Sequence, residues 1–499
     1  ITCRDWSSDV CSSDLINLSG EGYDLTLRGS AAPVAFNLAG ADNLILKDNG
    51  ALIFDIGTGD ITSPGASTND ITIGGITGLI RFASAGVVGN GIAPLLTTVA
   101  ALGESTTSGA VYLENGAALT ISGTVTTTDQ DLSITALGAV DQSSGIDAGV
   151  GTLTVKTLDA AGVDIVLDFA GNVARRIDLR ALDAVGGTTN SGGDIVYVSA
   201  AGDLSVLAVT TGNDTGSFSL TMPVDGTSYT IDQVGASAPI LIGSAGTVSI
   251  TANNHDVDFS TTPISDNNDF TSVELVSAGN VKLNANSSYV LYGTLSGNLD
   301  AKTTISGDIQ IGLGATGLVS SNGYLNIDPV ASIIINTTAL PGVSAINGNI
   351  TFSSPVVLED AVTITRGTGA VTFESTLDSA ASEDNGLTLD GASGGNITFT
   401  GAVGSAVNGV LGDLLISTAD NVLFSSTVRA ASLVQVAGTE TTLRDNVTTS
   451  GAAGVDISSG SIILDGLVVD SSAGDGIVRF NGPVVLEDAV TITRGTGAV

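Results

Sequence analysis

The stretch VTFESTL (371–377) sets Val371, Phe373 and Leu377 on one side of an extended chain and Thr372, Glu374 and Thr376 on the other. Strict alternation is the period of a half-buried β-strand. Related phrases recur as NITFSSPV (349–356), NITFTGAV (396–403), NVLFSSTV (421–428) and IVRFNGPV (477–484). Each has an apolar pair two apart that ends in Phe, and most are approached through Gly, Asn or Asp. Phe352, Phe373, Phe399 and Phe424 mark successive returns of the phrase, the first step shorter than the next two. Earlier segments, such as DIVYVSAAGDLSVLAV (194–209), keep the rhythm with looser spelling.

A unit of about 20–25 residues with two or three short strands cannot bury its apolar face alone and must stack on its neighbours. This predicts an all-β chain, a parallel β-solenoid (β-helix) with Val, Ile, Leu and Phe inside and Thr and Ser outside, about 4.8 Å from coil to coil. At that spacing about 20 coils would span about 90–115 Å. The alternative is a tandem array of β-sandwich modules, which run to about 100 residues each and carry Trp or Tyr core hallmarks. The short period and the scarcity of Trp and Pro favour the solenoid. Composition agrees: 65 of 499 residues are Gly and only 4% are aromatic, while the β-branched residues that dominate the body favour strands. The best helical candidate is the short RRIDLRALDAV (175–185).

The phrase Leu-charged-Asp/Asn closes several strands: LKDNG (46–50), LENGA (113–117), LEDAV (358–362 and 486–490) and LRDNV (443–447). These lack the residue order of calcium-binding loops. They read as turns in which Asp or Asn satisfies local backbone groups.

The opening ITCRDWSSDVCSSDL (1–15) stands apart from everything after it. It contains the single Trp and both cysteines, Cys3 and Cys11. Three aspartates interrupt it, so it is no export signal, and the cysteine spacing matches no metal or redox motif. DWSSDVCSSDL resembles the conceptual translation of a sequencing-library adapter, so 1–15 is read as an artefactual segment outside the fold and 16–499 as the repeat region. PVVLEDAVTITRGTGAV occurs at 355–371 and, without a change, at 483–499, so the numbering of the two copies differs by 128. A chain that begins in adapter and stops inside a duplication is expected to be a metagenomic fragment, truncated at both ends.

Charge narrows the partners. The net charge is −36, and removing the adapter-like segment, with one Arg and three Asp, leaves −34. Lys47, Lys156, Lys282 and Lys302 are the only lysines. Nucleic acid and anionic lipid need clustered cations, so neither is expected as a partner. No apolar run reaches the length of a membrane helix, so no membrane insertion is expected from this stretch. With one His, His255, and no thiol outside 1–15, there is no Ser-His-Asp or Cys-His machinery and no His-rich zinc site. His255 reads as a solvated loop residue.

The GNITFTGAV…LLISTADNVLF phrasing, the Thr/Gly/Val/Asn bias and the long duplication resemble the β-strand repeat regions of very large bacterial surface proteins, similar to filamentous-haemagglutinin-type and autotransporter-passenger adhesins. The resemblance covers nearly all of 16–499. It implies export across an outer membrane, an extracellular or cell-surface location, and carbohydrate or a host or neighbouring cell surface as partner. The expected function is a non-catalytic structural or adhesive rod, with no catalytic, cofactor-binding or metal residue assigned. One alternative is a polysaccharide lyase or glycosidase on a parallel β-helix, for which Asp164, Asp168 and Asp178 near Arg175 and Arg176 are candidates. The other is a matrix protein stiffened by calcium.

Overall fold

The computed structural model describes residues 17–18, 24–29, 35–38, 44–47, 49–63, 69–187, 192–200, 202–211, 215–224, 227–234, 239–260, 268–391, 394–405 and 409–496. The adapter-like segment 1–15 lies outside them. The described residues are strands, turns and irregular backbone without an α-helix. No helix among them is long and apolar enough to cross a membrane. The chain is an all-β parallel β-solenoid of about 19 turns. It divides into two compact units, Ile1–Thr251 with Thr261–Asn267, and Ala252–Ser260 with Asn268–Val499.

In the second unit each coil contributes to three faces. On the first face Val257, Val281, Leu299, Leu325, Ile350, Val371, Ile397 and Val422 stack in parallel register. On the second, Tyr289, Ile309, Ile333, Val356 and Leu377 do the same. On the third the column is Leu318, Val343, Ile364 and Leu389. Coils differ in length: the chain takes fewer residues from Val281 to Leu299 than from Leu299 to Leu325, although each is one step along the same face. Turns absorb this variation because their side chains face water, whereas a one-residue slip within a strand would turn its apolar set outward. The first unit repeats the plan, with Val111, Leu132, Leu153 and Ile177 in one column and Leu119, Val140, Ile165, Ile195 and Phe218 in another.

The core follows from alternation. In Val371–Phe373 the outer pair is buried and Thr372 points out. Phe352, Phe373, Phe399 and Phe424 are Cα partners in successive coils, and their rings stack with centroids 5.0, 5.0 and 4.7 Å apart. Such ring pairs add about 0.5–1.5 kcal/mol each beyond the area they bury. The unequal intervals in sequence are therefore equal steps in space. One corner needs glycine: Gly293 has φ 114°, and a Cβ there would lie 2.0 Å from the Leu275 carbonyl oxygen of the coil before.

Two expectations are corrected. RRIDLRALDAV does not form a helix; Val173–Leu182 is a strand that buries Ile177, Leu179 and Ala181 and turns Asp178 and Arg180 outward. The period of two was present in the letters, and the coils on either side supply the backbone partners that decide for strand. His255 is not solvated. It is 1% exposed at a turn where Asn253 and Asn254 take left-handed φ values of 50° and 70°.

Candidate functional site

The side chains at the coil corners explain much of the acidity. Asp129 and Asp131 accept hydrogen bonds from the backbone N–H of Val150 and Thr152, one coil later. Asp164 accepts from the N–H of Asp194, and Asp194 in turn from Ser217. Among the strand-closing phrases, Asn49 accepts from Thr77 N–H and Asn446 from Val468 N–H. Both kinds of bond occur: Asp445 and Asp488 accept from the N–H of the next residue, as the turn reading expects, and stacking brings residues about one repeat apart within reach of the others. Asn115 goes further: it is fully buried, and its amide bridges Thr97, Val99, Ala117 and Ala118.

The acids and arginines singled out in 164–178 do not converge. Asp164 and Asp168 flank the strand Ile165–Leu167, and Asp178 lies in Val173–Leu182, which belongs to a different sheet. Asp178 accepts from Arg180 Nε at 2.5 Å and from Arg180 Nη2 at 2.9 Å. Arg175 and Arg176 are exposed. Asp164 is engaged at the corner described above.

A dense polar surface lies elsewhere, on the first face of the second unit. Four successive strands, Asp256–Phe259, Val281–Ala285, Leu299–Thr303 and Leu325–Asp328, turn alternate residues outward. Their register makes a grid of three columns. One column is Asp256, Asn280, Asn298 and Tyr324. The next is Asp258, Lys282, Asp300 and Asn326, and the third is Ser260, Asn284, Lys302 and Asp328. In the next coils the middle column becomes Thr351, Thr372 and Thr398, a plain threonine ladder.

Within the grid the side chains hold one another in place. Asp256 accepts from the backbone N–H of Asn280 at 2.7 Å, Asn280 from that of Asn298 at 3.0 Å, and Asn298 from that of Tyr324 at 3.1 Å. Lys282 Nζ donates to Asp258 at 3.1 Å and Lys302 Nζ lies 3.6 Å from Asp328. Asp300 accepts from the Tyr324 hydroxyl at 2.9 Å and from the Asn326 amide at 3.0 Å. Between them is an open hollow of about 300 Å³ lined by Ser260, Lys282, Asn284, Asp300 and Lys302.

The electrostatics favour the charged forms of Asp258 and Lys282 and the neutral form of Tyr324. Partial burial raises the Asp258 carboxyl, but the Ser260 hydroxyl and Lys282 outweigh it and hold the group below its ordinary value. Lys282 is raised by its hydrogen bond to Asp258. The Tyr324 phenol is raised by its bond to the Asp300 carboxylate. Four carboxylates against two ammonium groups leave the grid at −2. Among the described residues no group of three or more His, Cys, Asp or Glu is gathered as a metal would need.

The motifs read from the sequence miss this grid, although a signal is there. GNVKLN (279–284), GNLDAK (297–302) and GYLNID (323–328) share one spelling, a Gly followed by alternating polar and apolar residues, with the charges on the polar letters.

No protein-family model, curated protein or solved structure matches the chain.

Proposed function

We propose that the chain is a non-catalytic structural or adhesive segment of a large, secreted or surface-exposed bacterial repeat protein. The observation that carries this reading is the ladder itself: strands stack coil on coil in parallel register, and their outward positions carry a threonine column and a grid of mutually bonded Asp, Asn and Lys, as in a scaffold that displays a surface. The location, at a cell surface or in its matrix, rests on the resemblance to adhesin repeats.

The grid also supports a second reading, a polysaccharide-degrading enzyme on a β-helix, since Asp300 and two lysines line one hollow there and Tyr324 is bonded to Asp300. One experiment separates the two. The purified chain, immobilised on beads, is tested for attachment to polysaccharide-coated and cell surfaces, and the soluble chain is incubated with the same polymers. Attachment with no gain in reducing ends or unsaturated uronates is expected. Accumulation of either product would overturn the non-catalytic reading.

A further inference from the structure

We propose that the three-column grid spanning 256–328 is a binding surface for a neutral polysaccharide, with Tyr324 as its platform and Asp300 as its central acceptor. The proposal deepens the adhesive reading above and rests on it. Three observations carry it.

The first is composition in place. Over four coils the outward positions are filled by Asp, Asn, Lys, Ser and Tyr, and the middle column then becomes threonine. Stability alone does not ask for this change, because a threonine ladder continues the same strands. Two of the four lysines in the chain stand on adjacent coils here.

The second is pre-organisation. A sugar ring presents neighbouring hydroxyls, each a donor and an acceptor, and planar carboxylate and amide groups can meet two of them at once. Asp300 is fixed from two sides by Tyr324 and Asn326, and Lys282 directs one of its three donors to Asp258. Lys282 and Lys302 also line the hollow, where further donors can meet hydroxyl oxygens. Tyr324 is 39% exposed; it offers an apolar ring face beside these groups with its hydroxyl already oriented.

The third is charge. The grid carries −2 within a chain of −36. A sulfated or uronate-rich polymer would meet repulsion from both, whereas a neutral glycan would not. Successive coils repeat at about 4.8 Å, so an extended polymer lying along the columns meets polar groups from one coil to the next.

The test is native gel affinity electrophoresis of the whole chain through β-glucan, galactomannan and dextran, with alginate as the anionic polymer. At least one neutral polymer is expected to retard the chain, and alginate is not. Tyr324→Ala and Asp300→Ala are expected to weaken retardation at least tenfold, and Tyr324→Phe less. Thr372→Ala, on the same face beyond the grid, should leave it unchanged. Equal far-UV circular dichroism and melting of the variants show that the fold is kept. Failure of all three neutral polymers to retard the chain, retardation by alginate alone, or undiminished binding by both alanine variants would overturn the proposal. If those variants lose no binding while beads bearing the chain still adhere to polysaccharide, the site is wrong and the adhesive reading stands. If degradation products appear, that reading fails whichever way the variants behave.

Discussion

Arg366 and Arg494 are the same letter in the same repeated phrase, and their surroundings could hardly differ more. Arg366 is 1% exposed and closes the strand Val362–Arg366. Its guanidinium donates to the carbonyl oxygens of Gly369, at 3.1 Å, Gly394 and Thr418, which belong to three successive coils. Its Nε has no partner among the described residues. Burial draws its pKa below the ordinary value, against the pull of Asp420. Arg494 is exposed. Removing Arg366 strips donors from buried carbonyls, at about 1–3 kcal/mol for an acceptor left unpaired, partly offset because a charge no longer has to be buried. Arg366→Met is therefore expected to lower stability by about 2 kcal/mol, and Arg494→Met to leave it unchanged. Urea denaturation midpoints check both, and equal midpoints for the two variants would sink the staple role of Arg366.

At the scale of the element, the phenylalanine ladder shows what stacking adds to a weak strand. Val371–Phe373 has only three residues, too few to persist alone, yet Phe373 and Phe399 are each sandwiched between rings above and below. Phe399→Ala is expected to cost about 3–5 kcal/mol, while Thr398→Ala on the outer side of the same strand changes little. Thermal melting of the two variants distinguishes them, and similar losses would argue against a closed apolar interior. This ladder was legible in the sequence, since one residue type returning once per repeat, always on the apolar side of an alternating stretch, marks a column of the core. The grid was less legible, because its side chains meet across coils and no single segment contains a motif. His255 and the segment 175–185 depart from the sequence reading for a related reason: local letters carry polarity and propensity, and the neighbouring coils decide burial and conformation.

At the scale of the whole molecule, the coil count and the duplication disagree, and the coil count prevails. The register carries Phe352 in successive steps through Phe373, Phe399, Phe424, Leu443 and Leu464 to Leu486, whereas the duplicated sequence makes Phe480 the counterpart of Phe352. Val356–Leu358 of the first copy therefore lies on the second face beside Ile333–Ile335, and Val484–Leu486 of the second lies on the first face beside Ile462–Leu464. Phe480 itself pairs with Ile457 on the third face. Identical strands accept either face because each face demands only alternation; the lengths of the intervening turns set the phase. This can be tested by cross-linking in a background of Cys3→Ser and Cys11→Ser. Ile463 and Val485 are Cα partners on adjacent coils, and parallel neighbours stand about 4.8 Å apart, inside the range a disulfide can span. Ile463→Cys with Val485→Cys is expected to close on mild oxidation, giving a faster-migrating band on non-reducing gels. If the second copy instead kept the face of the first, Val485 would lie beside Asp470 on the second face, and Asp470→Cys with Val485→Cys would close in its place. Closure of that pair and not the other would show that the repeated sequence, and not the accumulated turn length, sets the phase of the solenoid.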